Sequence, residues 1–206
     1  MMARCIELSR MAVAKGEYPF ATVIACDGQI LAESTNTTIR DADVTRHAEI
    51  IALSQAQQAI GREQLRRSTL YSNIEPCAMC AYCIREAWVG RVVYALGSPV
   101  MGGHSKWNIL RDRGLSSRLP GVFGAVPEVV SGVLLEEAQQ AWRDWSPLAW
   151  QMIKLRGLLT TLPVQEGIQV QRACRRSLWH HLHMLFMRGS RSHNRAGSVS
   201  VPSGDF

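Results

Sequence analysis

The sequence predicts an α/β fold, a mixed β-sheet with helices on its faces, and three observations carry that prediction. Short β-rich runs recur between segments with helical periodicity. Turn chemistry separates them, at Asp27-Gly28, Glu75-Pro76 and Ser146-Pro147. The chain has 206 residues, 47% hydrophobic and 19% charged, enough for one packed domain and a terminal extension.

Taken in order, Ile6 to Lys15 reads as an amphipathic helix stopped near Gly16 and Tyr18-Pro19. Ala21 to Ala25 and Gln29 to Glu33 flank Asp27-Gly28, a hairpin signal. A second helix begins near His47, with Ile50, Ile51, Leu53 and Ile60 suited to one buried face. Thr69 to Ile74 is a strand, and Pro76 suits the first position of a third helix from about Cys77 to Trp88, since its missing N–H would be unpaired there. Arg91 to Leu96 and Val129 to Leu134 are further strands, separated by a Gly- and Pro-rich loop at roughly 97–125. Glu136 to Arg156 is helical with a break at Ser146-Pro147. Periodicity weakens from about Leu162, and the segment after Gly189 has the composition of a disordered tail. The expected division is a domain at 1–158 and a basic extension at 159–206.

Composition narrows the function classes. No apolar run reaches membrane-spanning length, and Met1 to Leu8 lack a secretory h-region, so a cytoplasmic location without membrane contact is the expectation. Residues 1–159 hold 17 basic and 15 acidic side chains, and the remainder hold 6 and 2. The net charge of +6 therefore lies mostly in the extension, and the domain has no strong field for nucleic acid. Arg172, Arg175, Arg176 and His180, His181 and His183 make that extension either a solvated tail or an RNA- or metal-touching one. Of six cysteines, Cys77, Cys80 and Cys83 fall within seven residues, a clustering that points to metal or catalysis rather than disulfides.

The chemistry is concentrated in His47-Ala48-Glu49 and Pro76-Cys77-Ala78-Met79-Cys80. Positions i and i+3 share a helix face, so both sulfurs can meet one ion. With His47 they give three ligands for Zn2+ and leave a fourth tetrahedral position for water, the mark of a catalytic rather than a structural zinc. Zinc lowers the pKa of such a water to about 7. Glu49, two residues beyond His47, can move that proton to a ring nitrogen and a leaving amine. Cys83 would crowd three ligands into seven helical residues and reads as packing. Trp142, Trp145 and Trp150 also read as packing rather than as a pocket cap.

This H-x-E and P-C-x-x-C pair is the zinc deaminase signature. The chain resembles the cytidine and deoxycytidylate deaminase superfamily over about residues 1–157, most of all its tRNA adenosine deaminase and guanine deaminase branch, through Arg46 to Ile50, Glu75 to Cys80 and Gly90 to Tyr94. The resemblance implies a three-layer α/β/α sandwich around a five-stranded mixed sheet, and a homodimer whose partner shapes the pocket, with the Ala81 to Trp88 face as its contact. It also implies substrate contacts at Asn36 and Ala48, although Asn36 equally suits a turn. His104, after Gly102-Gly103, is either a substrate-binding residue on a loop closing over a base or a solvated histidine.

The substrate stays open at this level. Leu96 to Ser105 departs from the A-x-x-x-K-T-G-A-A-G-S run of tRNA adenosine deaminases, and Glu17-Tyr18-Pro19-Phe20 resembles the corresponding segment of small-base deaminases, with Ala21 in place of a glycine. The first expectation is therefore hydrolytic deamination of a free nucleobase or nucleoside, purine-like, with release of ammonia. The alternatives are a tRNA adenosine deaminase, with tRNA as partner, and a non-catalytic zinc-binding subunit, against which the presence of Glu49 argues.

Overall fold

The structure, a computed structural model, describes residues 1–161; most of the extension, with its Arg and His clusters, lies outside them. Helix α1 (Met2–Ala14) begins four residues before Ile6, because Met2 and Cys5 extend the buried stripe of Ile6, Ser9 and Ala12 back by one turn. Strands β1 (Ala21–Cys26) and β2 (Gln29–Thr35) pair antiparallel. Their turn places Asp27 at φ 48° and Gly28 at φ 80°, the two left-handed residues that a tight hairpin needs.

Helix α2 (Ala48–Leu65) follows, with His47 as its N-cap and a kink at Gly61. Strand β3 (Ser68–Ile74) leads into α3 (Ala78–Glu86), which Cys77 caps. Pro76 thus lies one residue outside the helix rather than at its first position. Strand β4 (Arg91–Leu96) runs as the sequence predicts. Strand β5 (Glu128–Ser131) stops short of Leu134, because Gly132 and Leu134 take left-handed backbone at φ 81° and 53°. Helices α5 (Leu135–Trp145) and α6 (Pro147–Leu155) divide at Ser146, whose Oγ accepts from Ala149 N–H.

The five strands lie in the order β2-β1-β3-β4-β5, antiparallel as far as β3 and parallel from β3 to β5. Alternate side chains supply two cores. Ile24, Leu70, Val92 and Tyr94 pack on one face with Ala52 and Leu53 of α2 and Ala81 and Ile84 of α3. Val23, Ile74, Val93 and Ala95 pack on the other with α1 and with Ala138, Trp142 and Trp150. The result is the α/β/α sandwich, with Trp142 and Trp150 in the core as the sequence predicts.

The segment between β4 and β5 is more ordered than a bare loop. It holds a 3₁₀ turn at Ile109–Arg111 and a short helix α4 (Arg113–Arg118) capped by Asp112. Arg85, 1% exposed on α3, ties it down, donating to the carbonyls of Ile109, Asp112 and Gly124 and to Ser116 Oγ. The Ala81 to Trp88 face is spent largely on this packing, for Ala81, Ile84, Arg85 and Ala87 are buried and Tyr82 is exposed. No helix among the described residues is long and apolar enough to cross a membrane.

Candidate active site

Strands β2 and β3 both pair antiparallel with β1 and so run the same way, which starts α2 and α3, the helices that follow them, at the same edge of the sheet. Ser34 Oγ on β2 donates to the carbonyl of Ala48 at 2.5 Å, seating the first turn of α2 against the sheet. Two helix N-termini thus converge, each with unpaired N–H groups and a partial positive charge that favours anionic ligands.

His47 Nδ1 lies 3.6 Å from Cys77 Sγ and 3.5 Å from Cys80 Sγ, and the two sulfurs are 3.6 Å apart. Zinc with bonds of about 2.3 Å to sulfur and 2.0 Å to nitrogen gives tetrahedral ligand edges of about 3.5–3.8 Å. The triangle matches that size, and among the described residues it is the one cluster of three or more metal-ligating side chains. Cys83 stands outside it, packed against the α2–α3 core. The donor set therefore fits zinc. Hydrogen bonding from Cys80 pushes the Cys77 thiol down to about 4, against burial and with help from His47. The same contact, with burial, pushes Cys80 up, since two neighbouring thiolates repel until a cation joins them.

Glu49, 8% exposed, accepts from Ser72 Oγ at 3.4 Å. Burial, then the charge of Cys77, raises its carboxyl above the usual range. A carboxyl poised this way beside a metal site suits proton transfer.

Asn36, 4% exposed, sits where β2 ends, its N–H donating to the carbonyl of Phe20 at 3.1 Å. The next residue, Thr37, donates to the carbonyl of Arg46 at 3.1 Å, so the chain around Asn36 runs beside that leading to His47. Ala48 is buried as the first residue of α2. His104 is placed differently from its sequence expectation. Its ring is 5% exposed, and Nδ1 meets the Tyr94 hydroxyl at 2.7 Å in the core under β4. Burial, aided by Arg111, pushes this imidazole down to about 4. The residue is thus not a solvated histidine, and no hydrogen bond joins it to His47, Glu49, Cys77 or Cys80 among the described residues.

Sequence reasoning missed two buried acids. Glu75, 2% exposed, accepts from the N–H groups of Ser98, His104 and Ser105 and from Ser105 Oγ, at 2.6–3.0 Å. This clamps the loop after β4 over the start of α3. Gly103 N–H bonds the Pro76 carbonyl at 2.8 Å, so near that a Cβ on Gly103 would sit 2.2 Å from Ala81 Cβ. Glu17, 5% exposed, performs a similar service at Asn36. Charge directly before Pro-Cys, and charge between a helix stop and an apolar strand, were the available signals.

Comparison with known proteins agrees with this geometry. The cytidine and deoxycytidylate deaminase zinc-binding region matches residues 1–96. A tRNA-specific adenosine deaminase of Haemophilus influenzae is 37% identical over 142 residues, 68% of this chain and 78% of that protein. A solved chain from studies of A-to-I editing by tRNA:A34 deaminases superposes with a TM-score of 0.59 at 33% identity, covering 68% of this chain and 96% of that one. A tRNA(Ile)-lysidine synthase of Deinococcus deserti is 35% identical over 144 residues, 69% of this chain but 26% of its own length. The chain spans about a quarter of that relative.

Proposed function

Because the chain belongs to the cytidine and deoxycytidylate deaminase family, a family of zinc-dependent deaminases, we propose that it hydrolyses the exocyclic amine of an adenosine within tRNA, giving inosine and ammonia. The observation that carries the hydrolytic chemistry is the 3.5–3.6 Å triangle of His47, Cys77 and Cys80 with Glu49 buried beside it. What supports tRNA adenosine over a free base is likeness to relatives of that name at 37% and 33% identity over 78% and 85% of their own length.

His47 Nδ1 and the two sulfurs would hold the zinc. When bound, the metal supplies an acidified water at neutral pH. Glu49 takes one proton from the attacking water and delivers it to the purine N1 as oxygen adds at C6. It then passes the second proton to the amine, which leaves as ammonia while the C6 carbonyl forms. Burial serves both transfers, since it brings the affinity of the carboxylate for a proton towards that of the groups it serves. The α2 and α3 N-termini favour the negative charge that develops. Asn36 and the Ala48 turn hold the nucleoside beside Glu49.

A free purine nucleoside is the second reading, favoured by the near balance of 17 basic against 15 acidic residues over 1–159, which gives phosphates little attraction. Zinc-loaded protein incubated with a tRNA transcript, and separately with adenine, guanine, cytosine and their nucleosides, tests both. Inosine in the transcript with little ammonia from the small substrates is the expected result. Ammonia from a small substrate with an unaltered transcript overturns the tRNA reading.

A further inference from the structure

Glu17 follows the turn that ends α1, yet its carboxylate works on the loop after β2. Oε2 accepts from Asn36 Nδ2 at 3.1 Å and from Ile39 N–H at 3.3 Å, and Oε1 accepts from Arg40 N–H at 2.8 Å. The second hydrogen of Asn36 Nδ2 goes to Thr38 Oγ1 at 2.8 Å. Both donors of the Asn36 amide are thereby used. Its Oδ1 accepts no hydrogen bond among the described residues, and the Asn36 backbone N–H is already bonded to Phe20.

The two ends of a carboxamide are alike in shape, so neighbours must decide which atom faces where. Here the neighbour is decisive, because a carboxylate only accepts. The atom of Asn36 that faces Glu17 must be the NH2, and the oxygen is turned the other way.

We propose that Glu17 is a positioning residue for the candidate site: it fixes the Asn36 amide with its oxygen outward, so that this position reads a hydrogen-bond donor on the substrate. The identity of that donor follows from chemistry, and rests on the reading of the pocket as one for an adenosine in RNA. N3 and N7 of adenosine are acceptors and cannot pair with Oδ1, and N1 is the atom that Glu49 serves with its proton. The exocyclic amine is the group that leaves. Within an RNA strand the 3′-oxygen is esterified, so the ribose 2′-hydroxyl is the remaining donor, and it is also the group that separates RNA from DNA. Glu17 thus selects a ribonucleotide without touching it.

Two measurements on the zinc-loaded full chain test this. In the first, hydrogen exchange of the Asn36 side-chain NH2 is followed by ¹⁵N NMR, with assignment from Asn36→Ala. Slow exchange in the wild type and fast exchange in Glu17→Gln is expected, whatever the substrate. Exchange in the wild type as fast as that of an exposed asparagine overturns the proposal.

The second compares kcat/KM for one RNA hairpin carrying adenosine or 2′-deoxyadenosine at the target position. The wild type is expected to favour the ribonucleotide by about tenfold, the worth of one hydrogen bond. Glu17→Gln should bring that ratio towards one, a change that mere destabilisation would not produce. Asn36→Asp sets two carboxylates face to face and should be the weakest variant. Adding Glu17→Gln to Asn36→Asp restores a donor facing an acceptor, and should recover both activity and the ratio. A ratio that Glu17→Gln leaves unchanged, or no recovery in the double variant, sinks the proposal. If the wild type deaminates neither hairpin, the substrate reading fails instead, and the exchange measurement still decides the role of Glu17.

Discussion

The backbone N–H of His104 donates to Oε1 of Glu75 at 3.0 Å, joining residues 29 positions apart. Through this bond and its neighbours at Ser98 and Ser105, one buried carboxylate holds the loop after β4 against the turn that carries Cys77. Gly102 pairs with Cys77 in an isolated bridge, so the loop forms the backing of a candidate metal ligand.

Glu75→Gln keeps the shape of this clamp and spoils its chemistry. Four donors converge on a group that only accepts, and an amide nitrogen must then face at least one of them. The variant is expected to lose about 1–3 kcal/mol of folding stability, the penalty for stranding a buried polar group. It should also release zinc to a chelator faster, because Cys77 loses its support. Urea denaturation and a chelator-competition assay check the two effects. Wild-type values in both would mean that the loop holds its place without Glu75.

His104 gives a pH dependence of defined sign. Its imidazole titrates at about 4 in the fold, against an ordinary value near 6.5. Between those values the unfolded chain binds the proton and the folded chain does not, so stability rises with pH across this window. Lowering the pH from 6.5 to 4 should therefore remove up to about 3 kcal/mol through this residue alone. His104→Gln can still bond Tyr94 but does not titrate. It should show a shallower fall in thermal midpoint between pH 6.5 and 4.5, and parallel curves for the two proteins would refute the assignment.

Glu49→Gln separates proton transfer from metal binding. The amide nearly preserves size and leaves His47, Cys77 and Cys80 untouched. Zinc content by mass spectrometry should remain that of the wild type, while deamination falls by about 10²-fold or more, the scale of lost general acid–base catalysis. Loss of zinc together with activity would make Glu49 a structural member of the metal site.

The sequence by itself determined the order of the main helices and strands, the five-stranded sheet and the zinc deaminase signature, though not α4 in the segment after β4. Those features are written locally. Asp27-Gly28 forces a hairpin by backbone sterics, and His47-x-Glu49 and Cys77-x-x-Cys80 each lie within one helical turn, where residue spacing fixes direction. Tertiary structure alone decided which way Asn36 turns its amide, where the His104 ring is buried, and what holds the segment after β4. Each depends on a charged side chain meeting backbone groups far along the chain: Glu17 at Arg40, Glu75 at Ser105, Arg85 at Gly124. Such contacts have no period and no fixed spacing, because a backbone N–H or carbonyl belongs to every residue type. They become visible only when folding brings a desolvated charge within reach of the few groups able to satisfy it.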